Sequence, residues 1–166
     1  MFKIIGGFMV GIACILTGHM RCIRLRKRYM NLCSFRQALS VLRSEISLKM
    51  TPLAKAFGSA GEMCGNGCFV RCSEYIPEIG AESAFKRTVL ETAEEECLSK
   101  SDIEALLSLS AGLGKCDMKN QIERVDYTIS LVDEAIKNAK KEKSEKGRMI
   151  MHCSVFLGAA IILILI

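Results

Sequence analysis

The stretch MIMHCSVFLGAAIILILI, Met149 to Ile166, holds eighteen residues with no Lys, Arg, Asp or Glu among them. In an apolar medium every backbone amide must find its partner within the segment, and a helix is the local way to do so. At helical rise such a run extends about 27 Å, close to the hydrocarbon thickness of a bilayer. It reads as a transmembrane helix, and the remaining chain must be compatible with that anchor. A weaker version of the same signal spans Ile4 to Met20, again free of Lys, Arg, Asp and Glu. Its length sits at the lower limit for crossing a bilayer.

A cleaved signal peptide is the rival reading of the first segment, since Lys3 precedes an apolar run. The sequence TGHMRC offers no A-x-A-like cleavage site, and Arg21 follows at once. A lipoprotein reading through Cys14 leaves only Ile4 to Val10 as the apolar run ahead of Gly11-Ile12-Ala13. The segment is therefore expected to stay as an anchor. Three regions follow: a first transmembrane helix over 1–20, a cytosolic helical domain over 21–148, and a second transmembrane helix over 149–166.

Charge is distributed to match. Arg21, Arg24, Arg26, Lys27 and Arg28 follow the first span with no acid among them. Lys137, Lys140, Lys141, Lys143, Lys146 and Arg148 precede the second, offset only by Glu142 and Glu145. Between these flanks, residues 29–136 hold 11 basic and 16 acidic side chains, a balance of −5 inside a chain whose net charge is +5. Lys and Arg beside spans collect on the cytoplasmic side, where they meet anionic lipid headgroups. Both flanks face the domain, so the chain reads as a membrane hairpin whose middle lies in the cytoplasm. A nucleic-acid partner is excluded on the same grounds, because the body that would face a phosphate backbone is acidic. Nine cysteines at irregular spacing suit reducing cytosol, where a free thiol serves as a small apolar side chain.

The middle reads as helices throughout. Leu32, Phe35, Leu39, Leu42 and Ile46 recur at helical spacing in a stretch without Gly or Pro, predicting an amphipathic helix continuous with the first span. Thr51 is the expected N-cap and Pro52 the first residue of a second helix. Gly65-Asn66-Gly67 marks a turn, after which CFVRCSEYI reads as a short helix stopped at Pro77. Glu82 to Cys97 forms another, with Phe85, Val89, Ala93 and Cys97 on its apolar side. Ser101 and Glu104 spell a capping box opening SDIEALLSLSAG, which Gly112 and Gly114 would end. Asp117 is the expected N-cap of a long last helix carrying Ile122, Val125, Ile129, Val132 and Ile136 on one face into the second span. No segment alternates like a strand. The fold class is all-α: a membrane-anchored helical bundle, with two long antiparallel helices and shorter ones packed on them.

Candidate chemical sites reduce to simpler readings. Cys64, Cys68 and Cys72 are spaced by four, but the glycines between the first two break the helix that would align three thiolates for a metal. His19 with Cys22 and His152 with Cys153 match zinc-ligand types, yet interfacial polarity accounts for them without metal. SAGLGKC has Leu109 where a phosphate loop needs its first glycine and Cys116 in place of the hydroxyl residue, so nucleotide binding is rejected. Gly7-x-x-x-Gly11 allows close approach of another helix, either the second span or a neighbouring copy of the chain. No paired carboxylates or nucleophile–base arrangement stands out. No enzyme, cofactor or metal is expected.

Four features together resemble a known family. These are a first span followed by a basic helix; LRSEISLKMTPLAKAF, with Glu45, Thr51, Pro52 and Leu53; LSAGLGKCDMKNQ, with Leu113, Gly114, Asp117 and Gln121; and a long helix entering a second span with Leu157-Gly158. This order resembles the stage III sporulation protein AB family of endospore-forming bacteria, which is similar to the inner-membrane platform protein of type II secretion. The resemblance implies a structural, non-enzymatic part in the secretion-like channel between mother cell and forespore. It implies as partners the secretion-type ATPase encoded beside it, stage III sporulation protein AA, and other stage III channel proteins; membrane lipid follows from the basic flanks, and another copy of the chain is one of the two neighbours open to Gly7 and Gly11. The two matched segments either contact a partner or keep the fold, and capping chemistry already accounts for most of their residues. A membrane-tethered adaptor acting outside any channel is the alternative.

Overall fold

A computed structural model describes the backbone at residues 2–49, 51–114 and 117–165, and side-chain surroundings at 13, 16–49, 51–114, 117–145 and 149. Among them lie six helices and no strand: α1 (Phe2–Lys49), α2 (Leu53–Cys64), α3 (Gly67–Ile79), α4 (Ala81–Thr92), α5 (Lys100–Leu107) and α6 (Met118–Leu165). The all-α reading therefore holds. Among the described residues no helix is long and apolar enough to cross a membrane. The second expected span, Met149 apart, falls where side chains lie outside that set, and so does the first apart from residues 13 and 16–20; Gly7, Gly11, His152, Cys153, Leu157 and Gly158 are outside it too.

The chain divides into two units: residues 30–137, and residues 1–29 with 138–166. In the first, the apolar faces expected from spacing are the buried ones. Leu32, Phe35, Leu39 and Leu42 are fully buried and Ile46 nearly so. Val125 and Val132 of α6 are fully buried, while Ile122, Ile129 and Ile136 lie against the same core. Four phenylalanines, one each from α1 to α4, form its centre. Phe69 lies 5.0 Å from Phe57, 5.9 Å from Phe85 and 6.2 Å from Phe35, ring centre to ring centre, within the range where aromatic pairs attract beyond their buried area. Arg36 and Arg43 of α1 meet Asp133 and Asp126 of α6. Each partner is close to half exposed, so these bridges set antiparallel register more than stability.

The short helices begin and end for identifiable reasons. Gly65, at φ +61°, ends α2 in the left-handed conformation, and the Asn66 side chain accepts the Phe69 N–H to start α3. Here the expected Gly-Asn-Gly turn stands. Pro77 does not stop α3, however; it sits in the last turn, and the helix ends at Gly80, φ +79°. Proline there removes one backbone bond, and the packing of Ile76 against the core offsets that loss.

The cap expected at Ser101 is instead at Ser99. Its hydroxyl accepts the Asp102 N–H and the Asp102 carboxylate accepts the Ser99 N–H at 2.8 Å. Asp102 is 1% exposed, so its carboxylate needs bonds from within the protein, and the Ser99 N–H supplies one of them. α4 likewise stops at Thr92 rather than Cys97, which adopts φ +56° in the turn that follows. Nor do Gly112 and Gly114 end α5, which closes at Leu107; they lie in the turn beyond it.

In the second unit, contacts among the described residues join α1 to α6. The Arg28 guanidinium donates to the Glu142 carboxylate, and Lys143 Nζ lies 4.9 Å from the centre of the Tyr29 ring.

Candidate functional site

The connection from α1 to α2 is built around Glu45, which is 6% exposed. Lys49 Nζ donates to one carboxylate oxygen at 2.7 Å, and the Thr51 hydroxyl donates to the other at 3.0 Å. The hydrogen bond from Lys49 lowers the Glu45 pKa; burial opposes it, while Thr51 and the positive charges of Lys49 and Lys55 reinforce it. Thr51 is thus not the helix cap its position predicts. Its side chain turns back to Glu45, and Pro52 precedes α2 with no side-chain cap bond. Pro52 is exposed, and its carbonyl accepts the Ala56 N–H at 2.9 Å.

The second matched segment comes to the same place. Leu113 is 2% exposed and belongs to the core, while Gly114 follows at φ +81°. A Cβ at Gly114 would lie 3.3 Å from the Ala81 Cβ and 3.6 Å from Leu53 Cδ2. Only glycine fits both that backbone and that approach without displacement. Asp117 is exposed just ahead of α6; its carbonyl accepts the Gln121 N–H at 3.0 Å and its carboxylate the Asn120 amide. Gln121 is half-buried.

Two adjoining clefts result, sharing Leu53 and Gly114 as their common wall. One, about 280 Å³, is lined by Ile46, Thr51, Leu53, Gly114, Met118 and Gln121. The other, about 340 Å³, runs from Leu53, Leu113 and Gly114 to Ile76, Ile79 and the start of α4 at Gly80–Ser83. Six residues of the two matched segments, Thr51, Leu53, Leu113, Gly114, Gln121 and Glu45 behind them, therefore meet at one surface. Ile46, Met118, Ile76 and Ile79 belong to it as well. Spacing marked Ile46 only as core, and nothing in the sequence marked the others, because their role depends on which helix ends converge.

The lining is mostly apolar and shallow, with few ionisable groups. Elsewhere, burial pushes the Cys68 and Cys72 thiols up to about 11 and about 12, so they are protonated, packed side chains. Hydrogen bonds with Thr92 and Thr88 partly offset the shift at Cys68, and one with Thr88 partly offsets that at Cys72. No cluster of His, Cys, Asp and Glu fit for a metal occurs among the described residues.

The basic flanks are seen in part. Arg21, Arg24, Arg26, Lys27, Lys140 and Lys141 are exposed; Arg28 is engaged by Glu142 and Lys143 by Tyr29; Lys146 and Arg148 have side chains outside the described set.

A family model described as "Stage III sporulation protein AB" matches residues 3–166. The chain is also similar to a solved structure described as "Stage III sporulation protein AB (SpoIIIAB)", with a TM-score of 0.64 and 20% identity over 70% of this chain and 96% of that one. At that identity the likeness is one of fold. No curated protein matches the chain.

Proposed function

Because this chain belongs to the stage III sporulation protein AB family, we propose that it is a structural platform of the sporulation channel between mother cell and forespore, docking a cytosolic secretion-type ATPase. The family match along nearly the whole chain carries this reading. The charge pattern supports the rest. Two uncharged stretches, each bordered on the domain side by Lys and Arg, favour two membrane spans, 1–20 and 149–166, with residues 21–148 on the mother-cell cytoplasmic side.

In this proposal the clefts around Leu53 and Gly114 receive the partner. Glu45 holds Thr51 in place from behind; Thr51, Leu53, Leu113, Gly114 and Gln121 line the surface, and Pro52 and Asp117 are exposed beside them in the chain. The acidic balance between the flanks suits a partner with a basic patch, since complementary charge speeds and orients association. No step of chemistry is assigned to the domain. Lipid, the other stage III channel proteins and further copies of the chain complete the set of partners.

Pulldown of the full-length protein from sporulating cells tests the reading. Co-purification of stage III sporulation protein AA is the expected result, and absence of the ATPase at micromolar concentrations of purified partners refutes the docking. Reporter fusions test the topology separately: external after Ile166 and cytosolic near Asn66. The reverse pattern refutes the hairpin.

A further inference from the structure

A third cleft, of about 370 Å³, lies where the last turns of α1 meet the end of α2. Glu45 links it to the clefts described above. Lys49, which donates to one carboxylate oxygen, lines the third cleft, and Thr51, which donates to the other, lines the first. Leu48 and Met63 are the two most exposed large apolar side chains among the described residues, at 82% and 71%, and both line this third cleft. Exposed apolar side chains scattered singly need no explanation, whereas two converging on one polar-rimmed concavity belong to a binding surface. Between them the cleft reaches Glu45, a nearly buried carboxylate. An ionised carboxylate has about four acceptor positions, and Lys49 and Thr51 fill two of them. The Lys49 side chain is 68% exposed, so its hold on Glu45 is loose. Ser44 offers no rival donor, because its hydroxyl donates to the Ser40 carbonyl. We propose that this cleft receives a basic side chain of a partner protein, which takes the place of Lys49 on Glu45 while apolar neighbours of that side chain pack on Leu48 and Met63.

The inference deepens the docking part of the proposed function and rests on it. Charge complementarity selects the occupant. An acidic side chain would set like charge against Glu45, and a wholly apolar one would strip water from the carboxylate without replacing its bonds. Arginine suits the place best, since its guanidinium is weakly hydrated and its planar fork matches a carboxylate. Displaced Lys49, at the exposed end of α1, returns to water without a buried charge being left behind.

The test uses full-length protein in sporulating cells, with the photo-crosslinking residue p-benzoylphenylalanine in place of Leu48 or, as a control outside the cleft, of exposed Leu90. Mass spectrometry of the peptide captured at position 48 should show an Arg or Lys within about four residues, one helical turn, of the cross-link. Glu45→Gln should lower the yield about tenfold, the worth of one hydrogen bond to a charged group, whereas Lys49→Ala removes the competitor and should hold or raise it. Met63→Lys, at an exposed position where the fold is not at stake, should also lower the yield about tenfold, and Met63→Glu should not. No cross-link at position 48, a captured peptide without Arg or Lys, or capture of lipid or of another copy of this chain overturns the inference. So does the same peptide at position 90, equal loss with Lys and Glu at position 63, or equal loss on Glu45→Gln and Lys49→Ala. The identity of the captured protein decides the docking separately. A basic peptide from some other protein refutes the ATPase as the partner here and keeps the occupant, while an ATPase peptide without Arg or Lys does the reverse.

Discussion

A methyl group added at Gly114 probes the surface where the two matched segments meet. Alanine there must adopt φ +81°, a strain of about 1–2 kcal/mol for an L side chain. Its Cβ would also stand 3.3 Å from the Ala81 Cβ, so α4 or the turn must give way by a few tenths of an ångström, adding about 1 kcal/mol. The expected loss is about 2–3 kcal/mol. Gly65 supplies the control. It too has positive φ, +61°, but nothing lies within 4 Å of a Cβ built there, and Gly65→Ala should cost only about 1 kcal/mol. For a small helical domain the Gly114 variant should melt about 10–15 °C lower than wild type and the Gly65 variant about 5 °C lower. Thermal unfolding of the full-length protein in neutral detergent, followed by circular dichroism, reads both. Equal effects at the two glycines would refute the close approach of Gly114 to Ala81 and Leu53, and with it the shared wall of the two clefts.

Phe69→Ala, which empties the middle of the aromatic core, should destabilise the domain by about 4–5 kcal/mol in denaturant titration, against less than about 1 kcal/mol for Arg43→Ala at a half-exposed bridge. Glu45 has a folded pKa below its ordinary 4.5, so its contribution is present above that pH and is lost as acid protonates the folded carboxylate. Wild-type melting temperature should therefore fall more steeply than that of Glu45→Gln as pH drops through the region below 4.5; parallel curves would contradict the Lys49 and Thr51 contacts. Cys68 and Cys72, buried and with thiol pKa values of about 11 and about 12, should resist maleimide at pH 8 in the folded protein and react on unfolding, and mass spectrometry of the labelled peptides checks this.

Much of this architecture follows from local pattern. Leu32, Phe35, Leu39, Leu42 and Ile46 had to share a face because their spacing matches the helical period, and burial of that face is what stabilises α1. The break at Gly65-Asn66-Gly67 is equally local: glycine accepts positive φ and asparagine accepts a helix-start N–H. The same residues explain why Cys64 parts from Cys68 and Cys72. Family membership was likewise legible, since it rests on short motifs whose order and spacing are written in the chain.

Choices between locally equivalent partners were not legible. Ser99 and Ser101 each have an acid three positions on, and local rules allow either to begin α5. Asp102 is buried by the surrounding helices and must have its bonds satisfied, whereas Glu104 is exposed and water suffices; that burial selects Ser99. Thr51 looks like a cap when only its neighbours are counted, but Glu45 reaches it across the turn and claims the hydroxyl. The clefts depend on distant pairs, Leu53 with Gly114 and Gly114 with Ala81, that meet only when α2, α4 and the turn before α6 pack together. Periodicity tells each helix which face to bury. Which helix ends converge, and so what surface another protein would meet, is fixed by packing between segments that carry no record of one another.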